Sequence, residues 1–271
     1  MKVQELGSGI YIISGIIQDL FDSYGGNLIE QCIFSGSSVN DPINSDNIFR
    51  YTHVFDKNFN SIASSNQKLI EYSQKFGELN EAQSELRKRY TEHIINSLIS
   101  LNLLDISNIQ CYETWASRSS RAPHIDRDES IELFDSILNQ DFPKYSIVSL
   151  PFNKTSQTNS KLHILDGTTI DDLNDYFTIE KDPEFDELRY SWVLKPSFID
   201  SSFDYVSSKI LDYKSDRFIS IDSLPGSVIL FPGNYLHLNC NSNSGQRPLS
   251  ESRISIPINC WPKIYGSAIN T

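Results

Sequence analysis

The sequence predicts a mainly β protein with buttressing helices, a sandwich or barrel built from many short strands. Two patterns carry that expectation. From Ile106 onward, short strand-like runs at 107–115, 145–150, 161–165, 190–195, 217–221, 226–231, 236–240 and 252–261 alternate with turn punctuation, which is the text of an all-β sandwich or barrel. Before them the period changes: Leu79, Leu86, Tyr90, Ile94 and Leu98 recur at steps of seven and four between charged residues, one apolar stripe of a helix.

Taken in order, residues 1–57 offer strand-like runs at Ile10–Ile13, Asn27–Phe34 and Ile48–Val54, separated by Gly, Ser, Asn and Asp turns. Two helices follow, near 64–76 and 79–103, each expected to bury one face on a sheet. The strand series then runs to residue 261. No internal repeat and no Pro/Gly/Ser linker divides the chain, so we read 1–271 as a single domain, with N-terminal strands and supporting helices in 1–105 and a β core in 106–262.

A chain of 271 residues with 39% hydrophobic content can bury a substantial core, which argues against disorder. Its net charge of −12 repels phosphate backbones, so nucleic acid is not an expected partner. The charge is unevenly placed: nine acids stand between Asp166 and Glu187 against the single Lys181. An insertion between strands, near 166–216, is expected there. Its acids would suit a lid that favours a cationic or zwitterionic small molecule, or would form a solvated loop. The four cysteines (Cys32, Cys111, Cys240, Cys260) are scattered without CxxC spacing, which suits a reducing cytoplasm. The apolar run at Ile10–Ile17 is broken by Ser14 and Gly15 and reads as a strand, not a signal peptide. No stretch reaches the ~18 apolar residues of a membrane span.

Five histidines are present, and they are not equivalent. His93 lies in the helical zone, His53 has Phe55 at i+2, and His163 sits mid-strand; all three read as structural. His124 stands in Ala122-Pro123-His124-Ile125-Asp126, where extended backbone projects His124 and Asp126 to one face. Two ligands of a 2-His-1-carboxylate metal site are thereby in reach. Downstream, Pro225-Gly226-Ser227-Val228-Ile229-Leu230-Phe231-Pro232-Gly233 reads as turn, buried strand and tight turn, and His237 begins the next strand. In Arg253-Ile254-Ser255-Ile256-Pro257-Ile258-Asn259-Cys260-Trp261 an arginine opens an otherwise apolar strand. Such a cation requires an anion, and Arg253 and Ser255 together can hold a carboxylate. Arg247 is a second cation nearby but follows the polar loop 241–246 and reads as solvated.

The ordered set HxD, distal His and RxS, over roughly 107–261, resembles the Fe(II)/2-oxoglutarate-dependent dioxygenase superfamily. The resemblance implies a double-stranded β-helix, a jelly-roll, cupin-like barrel with helices on its larger sheet. It implies His124, Asp126 and His237 as iron ligands, Arg253 and Ser255 on the distal carboxylate of 2-oxoglutarate, and Tyr112 lining the cosubstrate pocket. Fe(II), 2-oxoglutarate and O2 are the implied cofactors, and hydroxylation of an unactivated C–H bond the implied reaction. The carboxylate at Asp126 disfavours halogenation, which in this superfamily needs Gly or Ala there. The expected substrate is a small molecule such as a free amino acid or its derivative, with Arg118, Arg121 and Trp115 as candidate contacts and Arg127 just beyond the motif. Alternatives left open are a protein or peptide side chain as substrate, and desaturation or cyclisation. A non-enzymatic cupin is disfavoured because HxH clusters are missing and RxS would be idle.

Overall fold

The computed structural model describes residues 1–18, 20, 53–61, 81–114, 121–126, 142–150, 161–181, 190–198, 209–240 and 255–262. Thirteen strands and two α-helices are assigned among them: β1 (Lys2–Gly7), β2 (Ile10–Ser14), β3 (His53–Asp56), α1 (Glu81–Ser100), β4 (Cys111–Thr114), β5 (Arg121–His124), β6 (Tyr145–Ser149), β7 (Lys161–Leu165), α2 (Ile170–Tyr176), β8 (Phe177–Lys181), β9 (Tyr190–Leu194), β10 (Phe218–Asp222), β11 (Ser227–Pro232), β12 (His237–Cys240) and β13 (Ile256–Trp261). All ladders are antiparallel. They form a seven-stranded sheet in the order β1-β2-β11-β6-β13-β4-β3, a four-stranded sheet in the order β10-β7-β12-β5, and the β8-β9 hairpin.

Side-chain alternation along the strands sorts the core into layers. Ile13, Ile147, Val228, Leu230, Ile256 and Ile258 point from the seven-stranded sheet towards α1, where Tyr90, Ile94, Ile95 and Leu98 meet them. These helix residues include Tyr90, Ile94 and Leu98 of the stripe read from the sequence, while Leu86 is half-buried outside the cluster and Leu79 lies outside the described residues; burying each large apolar side chain contributes roughly 1.5–3 kcal/mol. Tyr90 Oη also donates to Ser149 Oγ at 2.9 Å, fixing the helix to β6. The alternate residues Val148, Ile229 and Phe231 face Leu162, Ile164 and Ile221 of the four-stranded sheet. The two sheets therefore share a buried interior.

The strands at 145–149, 161–165, 218–222, 227–232 and 237–240 lie where periodicity expects them. β1, β5, β8 and α2 were not anticipated, and β13 begins at Ile256, four residues inside the expected 252–261 run. β5 is written Arg-Ala-Pro-His, without strand periodicity, and its proline fits the edge position that β5 holds among the described strands of its sheet. α1 ends at Ser100, three residues before the expected 103, with Asn102 at φ 57° closing its C-terminal turn. The expected helix at 64–76 and the run Asn27–Phe34 lie outside the described residues.

β7 and β10 are direct partners from Leu165↔Phe218 to Lys161↔Asp222, so residues 166–217 leave and return at one hairpin position. Their described part does not sit over the interior between the sheets. Leu173, Tyr176, Phe177 and Ile210 instead pack on Leu165, Leu236 and Ile125, the outer face of the four-stranded sheet. Two of the acids there, Asp172 and Asp175, are engaged within the segment. Asp172 completes a capping box with Thr169 at the start of α2, accepts a two-pronged contact from Arg217 at 2.7 and 2.9 Å, and is bonded by Lys214. Lys214 also donates to Asp175 at 3.0 Å. For these residues the lid expectation is corrected: they form an outer layer tied by ion pairs.

Candidate metal centre

His124 ends β5 and His237 begins β12, and the two are Cα partners in the ladder that joins those strands. Cross-strand partners project to the same side of a sheet, and their rings lie 4.1 Å apart between centroids. Asp126 follows two residues after His124, past the end of β5, and turns its carboxylate between the rings. Asp126 Oδ1 is 3.8 Å from His124 Nε2, and Oδ2 is 3.8 Å from His237 Nε2. One donor atom from each of the three residues falls within 4.8 Å of the others, the sole such group of metal-capable side chains among the described residues.

The chain orients these groups. His237 Nδ1 lies 3.0 Å from the Tyr235 carbonyl oxygen, so Nδ1 carries the proton and donates it, and the Nε2 lone pair faces Asp126. Phe231 of β11 stands edge-on to the His237 ring at 5.0 Å, closing one side with an apolar wall. The turn that delivers His237 depends on Gly233, where a Cβ would come within 2.2 Å of the Pro143 carbonyl oxygen. Ser146 of β6 donates to Asp126 Oδ2 at 2.8 Å. The site thus lies between the sheets, with two ligands from the four-stranded sheet and a hydroxyl from the seven-stranded one.

Two neutral imidazoles and a carboxylate, with no fourth protein ligand among the described residues, suit a divalent transition metal that keeps open positions. This donor set fits Fe(II). The structure brings His124, Asp126 and His237 together. Ser255 is buried immediately before β13, where alternation gives it the parity of Asn259. Arg253, Arg118, Trp115, Arg127 and Arg247 lie outside the described residues. Arg121 opens β5 opposite Asn239.

Tyr112 is a correction. It stacks on Phe59 at 5.0 Å and belongs to the cluster under α1, on the sheet face opposite the metal-capable group. Burial there pushes its phenol up and keeps it protonated. Its neighbour Glu113 has the other parity: it is the Cα partner of Asn259 and accepts from Trp261 Nε1 at 3.0 Å. All four residues of β4 are buried, so no polar alternation marks which face is which. His93 Nε2 lies against the Ile16 carbonyl and His163 Nδ1 against Ser220 Oγ, and neither belongs to the metal-capable group. Sequence reasoning did not single out Ser146, Asn259 or Glu113. They come from other strands than the HxD motif, and only the ladders bring Ser146 and Asn259 to it.

No protein-family model matches the chain, and no curated protein matches it. Among solved structures it is similar to the non-heme iron oxygenase OrfP in complex with Fe and alpha-ketoglutaric acid, at 10% identity over 54% of this chain and 50% of that one, TM-score 0.31. It is similar to asparagine oxygenase in complex with Fe(II), 3-hydroxyasparagine and succinate, at 8% identity over 54% and 51%, TM-score 0.31. The chain spans about half the length of these two. A prolyl-4-hydroxylase from Pseudomonas putida aligns over 94% of this chain and 93% of its own, at 11% identity and TM-score 0.35.

Proposed function

We propose that this chain is a non-haem Fe(II)/2-oxoglutarate-dependent oxygenase that hydroxylates a small molecule, with an amino acid or amino-acid derivative as substrate class. The observation that carries the reading is the convergence of His124, Asp126 and His237 within 4.8 Å at the meeting of the two sheets. The strand order supports the fold half of the reading. Setting aside the β8-β9 hairpin, β4, β6, β11 and β13 fall in one sheet and β5, β7, β10 and β12 in the other, the alternation of a double-stranded β-helix. We read 1–271 as one domain on that core.

When bound, iron with 2-oxoglutarate and O2 supplies the oxidising power: the keto acid becomes succinate and CO2, and one oxygen atom enters a substrate C–H bond. The chain's own groups do the positioning. The Tyr235 carbonyl holds His237 in the tautomer that offers Nε2. Phe231 keeps water from one flank of that ring. Arg253, with the hydroxyl of Ser255, is assigned to the distal carboxylate of 2-oxoglutarate by charge and planar fit. Arg118, Arg121 and Trp115 are assigned to the substrate. Two buried free thiols, Cys111 and Cys260, suit a reducing, cytoplasmic setting.

Anaerobic titration tests the class directly. A weak visible charge-transfer band is expected only when Fe(II) and 2-oxoglutarate are both present. Succinate release across free amino acids and basic peptides then separates the substrate classes. Turnover that survives His124→Ala or His237→Ala would overturn the reading.

A further inference from the structure

Among the described residues, no backbone group holds the carboxylate of Asp126. Ser146 Oγ lies 2.8 Å from Asp126 Oδ2 and 3.1 Å from Asn259 Oδ1. All three residues are buried. Ser146 and Asn259 are Cα partners across β6 and β13, so the pair is set by sheet register. A hydroxyl has one hydrogen to give, and an ionised carboxylate only accepts. That hydrogen therefore belongs to Asp126. The Asn259 amide must then meet Ser146 with its NH2 group as donor, an orientation reached by a half-turn of the amide.

We infer that Asn259 and Ser146 form a positioning relay, Asn259 Nδ2–H to Ser146 Oγ and Ser146 O–H to Asp126 Oδ2, that orients the carboxylate ligand from the opposite sheet. The inference rests on the metal reading above and deepens it. Neither residue touches the metal position: each acts through Asp126. The relay occupies a lone pair of Oδ2 and fixes the plane of the carboxylate. It also tempers the charge that Asp126 donates, as outer-shell partners of metal ligands do. A β-sandwich core would ordinarily fill these two positions with apolar side chains, because a buried hydroxyl and amide stabilise only when satisfied.

The test is cobalt(II) uptake by the metal-free full-length protein, followed by calorimetry and by the visible d–d spectrum, with no cosubstrate needed. Ser146→Ala should weaken cobalt binding about 10–100-fold and shift the spectrum, because the carboxylate is free to rotate. Ser146→Thr keeps the hydroxyl and should restore both. Asn259→Asp replaces the donor by an acceptor that competes for the Ser146 proton, so it should weaken binding in the wild-type background and change nothing further in Ser146→Ala. Cobalt affinity of a folded Ser146→Ala within about twofold of wild type, or additive effects at the two positions, would overturn the relay. Should Ser146→Ala not fold, Asn259→Asp against wild type decides on the same readouts. A wild-type chain that binds cobalt no better than His124→Ala overturns the metal reading itself, a result distinct from failure of the relay.

Discussion

Asp126 and Asp172 are both buried aspartates on the two sides of one four-stranded sheet, and they are balanced in opposite ways. Asp172 on the outer side meets two permanent cations of its own chain, Arg217 and Lys214. Burial works to raise its pKa, but the hydrogen bonds from Arg217, Lys214 and Thr169 outweigh that and hold it well below the usual carboxylate range. Among the described residues, Asp126 on the inner side faces two imidazoles and a hydroxyl, none of them a permanent cation. A buried carboxylate without one is costly, and an external cation removes that cost. The difference separates an ion pair that builds the fold from a ligand set that awaits an ion.

The same isosteric change should therefore read out differently at the two positions. Asp126→Asn is expected to lower turnover and metal affinity by about a hundredfold or more, since loss of a ligand exceeds loss of an outer-shell partner. The melting temperature of the metal-free protein should hardly move. Succinate assays beside a thermal melt check both halves; a strongly destabilised metal-free Asp126→Asn would erase the distinction.

Next in size, Asp172→Asn should cost about 1–3 kcal/mol in urea unfolding, with turnover per folded molecule unchanged. The range is discounted from that of a fully buried pair because Arg217 and Lys214 retain solvent contact. A third, smaller effect is its pH dependence. The Asp172 pKa is depressed from 3.8 on folding, so its stabilisation is present above that value and is lost as pH falls through the folded one. The stability gap between wild type and Asp172→Asn, measured without metal, should close below about pH 4. A gap that widens on acidification would mean the carboxylate is not the group responsible. The smallest effect is expected of Arg217→Lys, which keeps the charge and loses the fork, at about 1 kcal/mol or less on the same unfolding curve.

How much of this was legible depends on sequence distance. The two histidines and Asp126 were readable because each carries a local cue: the HxD spacing for one pair, and the Pro-Gly turn before His237 for the other. The strands at 161–165, 218–222 and 237–240 were readable as short apolar runs between turn residues. β5 was not, because an edge strand of four residues containing proline has no period to detect. Tyr112 was misassigned by one residue of parity, since a strand buried on both faces offers no polar alternation. Ser146 and Asn259 are 20 and 133 residues from Asp126 along the chain and 113 from one another, and only sheet register brings them together. The acidic stretch was legible as charge but not as structure: Arg217, which neutralises Asp172, lies 45 residues further on.

Among the described residues, β5 is joined to its sheet along one side, through a ladder to β12 that slips register after His237. An ion gripped by His124, Asp126 and His237 would fasten that loose margin to its neighbour and, through Ser146, to the sheet across the interior. Loading would then be a mechanical event as well as a chemical one, a rivet driven through the seam of the sandwich. Amide hydrogen exchange at Arg121–Asp126 should slow most on metal addition, while the distant β1-β2 ribbon keeps its own rate.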